Sequence, residues 1–169
     1  MIDTKTLKAG DVIHYSGIIY TARDAAHLRM KNMIDNNESL PVDFKDAFIY
    51  YAGPTPTKPG MAVGSIGPTT SCRMDKFIDY MPTLGIKGMI GKGPRDKSVQ
   101  EACKKYGLVY LIATGGAGAL LSKRVLDAKE VAFNDLGCES IKRLEVKDFP
   151  LIVAYDTFGN SVFDRKENN

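Results

Sequence analysis

The sequence has no tryptophan, only two histidines and only three cysteines in 169 residues. Each scarcity removes a class of chemistry. His14 and His27 have no second His or Cys at ligand spacing, so the chain spells out no zinc-type ligand set. Cys72, Cys103 and Cys138 form no CxxC pair and no disulfide framework, which reads as a reduced, cytoplasmic protein. Iron–sulfur clusters usually take four ligands, and three scattered cysteines give no sign of one bound by this chain alone. No apolar run approaches the roughly 20 residues of a membrane span. The opening "MIDTKTLKAGD" lacks the hydrophobic region of a signal peptide. Charge of one sign is also missing: 23 Lys and Arg face 20 Asp and Glu, for a net +3 spread along the chain. That argues against the basic stripe of a nucleic-acid binder.

What remains is an ordinary globular composition, 44% hydrophobic and 25% charged. The length predicts a single domain over residues 1–169. Mixed α/β architecture follows from the element pattern, with strands outnumbering helices and helices interposed between strands. "DVIHYSGIIYTA" reads as strand, turn at Gly17, strand. A helix follows, with Ala22, Ala25, Ala26, Met30, Met33 and Ile34 on one face and Thr21–Asp24 as a capping-box-like start. "AFIYYAGP" and "MAVGSI" read as strands around the stiff loop "PTPTKPG". A helix through "MDKFIDYM", a strand in "GIKGMIGKG", a helix in "DKSVQEACKKYG" capped by Gly107, and a buried strand "LVYLIAT" come next. "ATGGAGAL" lacks nucleotide-loop spacing and reads as a close-packed turn into a short helix. "IKRLEVKD" and "LIVAYDTFGNSVF" read as two late strands, and "DRKENN" as a frayed tail.

Two motifs set an unusual charge in an unusual place. "TARDAAH" and "GPTTSCRMD" put Arg23 and Arg73 in or near the first turn of a helix. A helix N-terminus carries partial positive charge and disfavours a cation. An anion held there reconciles the two, because free N–H groups and a guanidinium can both point at it. The planar fork of arginine matches a carboxylate, so two such arginines suggest a ligand with two carboxylates, or a carboxylate and a phosphate. The plainer alternative is that Arg23 and Arg73 pair with nearby Asp24 and Asp75. Lys92, on the glycine-bounded strand end "GKG", is a third cation that by itself reads as solvated.

"SGIIYTARDAAHLRM", "YYAGPTPTKPGMAVGSIGPTTSCRMD", "GIKGMIGKG" and "LIATGGAGALLSKRV", taken together, resemble the β subunit of iron–sulfur hydro-lyases, the class I fumarate hydratases and L(+)-tartrate dehydratases. The likeness runs from Leu7 to about Phe163. It implies a swivelling β/β/α domain with a central mixed sheet. It implies reversible hydration of a four-carbon dicarboxylate, fumarate to L-malate by preference, with L(+)-tartrate dehydration as the alternative. The implied cofactor is a 4Fe–4S cluster held by the cysteines of a partner α subunit, with no metal in this chain. The implied assembly is a dimer of heterodimers with that subunit, without nucleic acid or membrane. Carried over from the family motifs, Arg23, Thr69, Arg73 and Lys92 contact substrate, and Thr69 is the candidate catalytic residue, at the proton transfer. Two positions depart from the pattern. Cys72 stands where glycine or alanine is expected and reads as a packing residue, and Leu28 stands where a basic residue usually follows His27. His27 reads as structural. A reading from another class is a non-catalytic module that binds a dicarboxylate or docks a protein.

Overall fold

The computed structural model describes residues 2–113 and 117–164. Its strands and main helices run β1 (Val12–Thr21), α1 (Asp24–Asp35), β2 (Phe48–Tyr50), a 3₁₀ helix (Ser71–Leu84), β3 (Gly88–Gly91), α2 (Lys97–Tyr106), β4 (Val109–Ile112), α3 (Gly118–Ser122), β5 (Val125–Ala132) and β6 (Ile141–Tyr155). The strands form one mixed sheet. β1, β2, β3 and β4 are successive parallel neighbours. β6 runs antiparallel to β1, β4 and β5. Because β6 pairs with β1 as well as β4, the pairings of five strands close on themselves.

Closure gives the sheet two distinct faces, and side chains alternate between them with period two. Phe48 and Tyr50 of β2, Ile90 of β3, Val109 and Leu111 of β4, and Leu144, Leu151 and Val153 of β6 pack together on one face. Ile49, Tyr51, Met89, Tyr110 and Tyr155 turn to the other. There they meet Ala26 and Met30 of α1, Met74, Phe77, Ile78 and Met81 of the 3₁₀ helix, and Val99 and Cys103 of α2. The 3₁₀ helix shows the spacing that buries one face: residues 74, 77, 78, 81 and 84 are all buried. No helix among the described residues is long and apolar enough to cross a membrane.

Several sequence expectations change in register. The break at Gly17 and the break at Asp148–Pro150 are one feature. Tyr15 pairs with Phe149 and Gly17 with Val146, so Lys147 and Asp148 stand opposite Ser16 alone, as a β-bulge. Gly17 has φ +151 and Asp148 φ +50, and the Asp148 amide donates to Ser16 Oγ at 3.0 Å. The two turn signals therefore bend a pair of continuous strands and do not end them. "MAVGSI" is not a strand. It folds back on Thr55, through Thr55 N–H to the Ser65 carbonyl at 3.0 Å and Ser65 N–H to Thr55 Oγ1 at 2.9 Å. A Cβ at Gly64 would lie 2.0 Å from the Thr55 carbonyl oxygen. β5 was hidden in "VLDAKEVA", whose charges break the alternation. It pairs only with β6, with two register shifts. Thr21 does not cap α1. Its hydroxyl is buried, receives the Lys142 amide at 3.1 Å and reaches the Ser140 carbonyl at 3.4 Å. Glu139 does that work instead, accepting the Ala25 amide at 3.3 Å. Gly107 caps α2 in the left-handed conformation, as its sequence suggests. Positions 114–116 of "ATGGAGAL" and 165–169 of the charged tail lie outside the described residues, and the short helix α3 begins at Gly118.

His27 is fully buried in the seam between α1 and the 3₁₀ helix. Its ring stacks on Phe77 at 5.6 Å, meets Tyr51 edge-on at 5.5 Å and hydrogen-bonds the Tyr80 hydroxyl through Nδ1. Desolvation first, and then the field of Arg95, lower its pKa to about 3.

Two outcomes follow from this packing. A Cβ at Gly88 would sit 2.2 Å from the Val109 carbonyl oxygen across the β3–β4 ladder. Gly88→Ala should lower the unfolding free energy by about 2–3 kcal/mol in urea titration. An unchanged midpoint would show that the ladder relaxes freely. Native His27 stays neutral down to about pH 3, against an ordinary value of 6.5. Between those values the unfolded chain holds the extra proton, so stability falls as pH falls. At pH 5 the penalty is about 2 kcal/mol. His27→Gln should flatten the pH dependence of stability between pH 6.5 and 4.5, and a slope identical to wild type would refute the assignment.

Candidate functional site

The C-terminal ends of four parallel strands share one rim of the sheet, the position where α/β sheets generally bind ligands. As β1 leaves, Ala22 N–H donates to the Tyr50 carbonyl at 3.0 Å, and Arg23 becomes the N-cap of α1. As β2 leaves, the Tyr51 carbonyl accepts the Thr69 amide at 2.7 Å. As β3 leaves, Lys92 and Ser71 exchange two bonds: Ser71 N–H to the Lys92 carbonyl at 3.1 Å, and Lys92 N–H to Ser71 Oγ at 2.9 Å. Thr70 pairs with Lys92 as an isolated parallel bridge. Gly91 makes this docking possible, since a Cβ there would lie 1.7 Å from Ser71 Oγ. The Gly67–Thr70 corner is therefore inserted between the ends of β2 and β3. It brings Thr69, and Arg73 in the helix that follows, to the same rim as Arg23 and to Lys92 at the end of β3.

The arginines sit where the sequence places them, but their partners differ from the simple pairing with Asp24 and Asp75. Arg73, in the first turn of the 3₁₀ helix, lies 3.2 Å from Asp24 Oδ2, a charge contact without hydrogen-bond geometry. Its side chain is 55% exposed, so water screens the pair and it contributes at most about 1 kcal/mol. Arg23 makes no ion pair among the described residues. Its side chain lies over Gly53, where a Cβ would come within 3.1 Å of Cδ and Nη1. Its Nε is buried and has no hydrogen-bond partner. A buried donor left unmade costs about 1–3 kcal/mol. Asp75 is taken by a residue that the sequence reading passed over.

That residue is Arg95. Its Nε donates to Asp75 Oδ1 at 2.6 Å and its Nη1 to the Tyr51 hydroxyl at 3.1 Å. The guanidinium lies over the rings of Tyr51 and Tyr110 at 5.1 and 5.3 Å. Burial opposes its charge, but Tyr51 and Asp75 outweigh that and raise its pKa. In sequence, "GPRD" looks like a solvated loop, and only the Gly-Pro approach hinted at a fixed backbone. Cys72 is exposed, not a packing residue. Cys138 is also exposed and Cys103 is buried. Among the described residues no group of three or more His, Cys, Asp or Glu is placed to hold a metal ion. The described cavities, of about 390 to 670 Å³, are lined by residues other than Arg23, Thr69, Arg73 and Lys92. On the rim Arg73 is exposed, and Arg23, Thr69 and Lys92 are half-buried.

The family model for the fumarase C-terminus matches residues 2–166. A Methanocaldococcus jannaschii protein with the provisional name L(+)-tartrate dehydratase subunit beta is 44% identical, over 96% of this chain and 86% of its own length. The Escherichia coli L(+)-tartrate dehydratase subunit beta is 35% identical over 95% of this chain and 81% of its own. The aerobic class I fumarate hydratase of Escherichia coli is 43% identical over 89% of this chain, which spans only 28% of that longer protein. The chain belongs to the fumarase C-terminus family.

Proposed function

We propose that this chain is the β subunit of a two-chain hydro-lyase and supplies the carboxylate-binding half of its active site. One observation carries the reading: Arg23, with a buried and unpartnered Nε, shares a strand-end rim with Thr69, Arg73 and Lys92. The relatives support it. Those of similar length are named as separate β subunits, and in the longer fumarate hydratases the matching region is about a quarter of the protein. In this reading residues 1–169 form one swivelling β/β/α domain of a cytoplasmic enzyme, assembled as a dimer of heterodimers. The 4Fe–4S cluster belongs to the α subunit. The described cysteines here are not gathered into a ligand set.

The chemistry assigned to this chain is electrostatic. Removing a proton beside a carboxylate builds charge on that carboxylate. Arginine forks at its oxygens stabilise the charge as it forms. Arg23 and Arg73 take this role, and Arg73 exchanges its exposed contact with Asp24 for substrate. Lys92 adds a cation at the end of β3. Thr69, whose amide is pinned to the Tyr51 carbonyl, holds its hydroxyl ready for proton transfer at the reacting carbon. Fumarate is the preferred substrate. Within Escherichia coli the chain is closer to the fumarate hydratase, at 43%, than to the tartrate dehydratase subunit, at 35%. Tartrate dehydration remains the second reading because the separate-subunit relatives carry that name.

Steady-state rates of the assembled pair on fumarate, L-malate, tartrate and mesaconate test the proposal, and turnover of none of them would end it. Arg73→Lys keeps the charge and loses the fork, so kcat/KM should fall about 10- to 100-fold. Near-normal activity in a correctly assembled pair would remove Arg73 from the site. Thr69→Val should lower kcat far more than Thr70→Val, and equal losses would mark both threonines as structural. The purified chain alone should be colourless, without stoichiometric iron or sulfide, and without hydratase activity. Turnover by the lone chain would overturn the β-subunit reading.

A further inference from the structure

We propose that Arg95 is a positioning residue for this site: its buried guanidinium ties the end of β2, on which Thr69 is anchored, to the segments that carry Arg73 and Lys92, and it does not itself bind substrate. The inference rests on the reading of the rim as a dicarboxylate site. The first segment is the end of β2, where Arg95 Nη1 donates to the Tyr51 hydroxyl at 3.1 Å and the Tyr51 carbonyl anchors the Thr69 amide at 2.7 Å. The second is the 3₁₀ helix. Asp75, two residues beyond Arg73, accepts Arg95 Nε at 2.6 Å and the Asp96 amide at 2.9 Å. The third is the loop after β3 that begins with Lys92. Tyr155 clasps its backbone at Arg95, accepting the amide and donating to the carbonyl, both at 2.8 Å. Tyr110 donates to the Gly93 carbonyl at 2.8 Å.

Arg95 is only 7% exposed. Burying an ion pair is rarely the most stable way to fill a core, and apolar residues of similar volume often do as well or better. What a buried fork adds is direction. It serves a carboxylate and a hydroxyl on different segments from donors fixed in one plane, whereas the three donors of lysine rotate at the end of a flexible stem. Site residues held by locked supporting contacts keep the geometry that chemistry needs.

Arg95→Lys and Tyr51→Phe in the full chain test this. The first readout is amide hydrogen exchange, which does not depend on activity. In folded Arg95→Lys, exchange at Thr69, Ser71 and Lys92 should accelerate at least about 10-fold. Exchange at Val153, whose amide donates to the Asp11 carbonyl at 2.9 Å in the sheet, should hold. The second readout is turnover of fumarate and L-malate by the chain assembled with its α subunit. There kcat/KM should drop about 10- to 100-fold for Arg95→Lys and less for Tyr51→Phe. Unchanged exchange at the rim overturns the proposal. So does acceleration of equal size at Val153, which would mark Arg95 as a general stabiliser. So does a loosened rim with undiminished kcat/KM. If Arg95→Lys fails to fold, Tyr51→Phe, which removes one hydroxyl, carries the same contrast. A wild-type pair inactive on every dicarboxylate overturns the substrate reading separately, and the exchange contrast then still decides whether Arg95 holds the rim.

Discussion

Strand β6 is the constraint on which the rest of this structure depends. Over fifteen residues it pairs with β1 along one edge and with β4 and β5 along the other. Without that closure, the four parallel strands would form an open sheet whose two outer edges, β1 and β4, expose unpaired backbone groups. With it, one face becomes a packed interior and the other is free to receive α1, the 3₁₀ helix and α2. The bulge opposite Ser16 lets β6 follow β1 around the curve without losing register on either side. Because all four remaining strands of the ring are parallel, their C-terminal ends meet on one rim, and every chain segment leaving that rim can contribute to a shared site.

Charge is distributed on two levels behind that rim. The outer level is solvated: Arg73 and Asp24 touch through water-screened charge and can part at small cost. The inner level is desolvated: Asp75 and Arg95 are nearly inaccessible and joined by one hydrogen bond from Nε, Arg95 Nη2 has no partner among the described residues, and three tyrosines stand around them. Their mutual attraction offsets a large desolvation penalty, so the pair contributes direction more than stability. His27 lies close enough to feel this charge and stays neutral, a hydrogen-bonded aromatic in the core. The same core face therefore contains both a fixed cation and a histidine that does not compete with it.

The parts of the fold legible in the sequence are those whose local chemistry is unambiguous. α2 shows its cap at Gly107 and two lysines in its last turn. β2, β3 and β4 are apolar runs too short to be helices. The parts that were not legible depend on pairing. "MAVGSI" has strand composition, but Gly64 is pressed against the Thr55 carbonyl and the segment never joins the sheet. "VLDAKEVA" has charges that break strand alternation, but β6 offers it an edge. Thr21 has a capping residue's chemistry but is drawn into the sheet by Ser140 and Lys142, and Glu139 caps the helix from far away in sequence.

The site divides the same way. By itself the sequence determined which groups are available: two arginines at helix starts, a pair of threonines after Gly-Pro, and a lysine between glycines. That much follows from residue type and local spacing, because arginine forks and free amide groups keep their chemistry in any fold. Only the tertiary structure decided how they stand to one another. It placed Arg23 against Gly53 with its Nε unpartnered, gave Arg73 to Asp24, and gave Asp75 to Arg95. The physical reason is that a charge chooses its partner by distance and desolvation. Both are set by strand pairings that join residues more than a hundred positions apart.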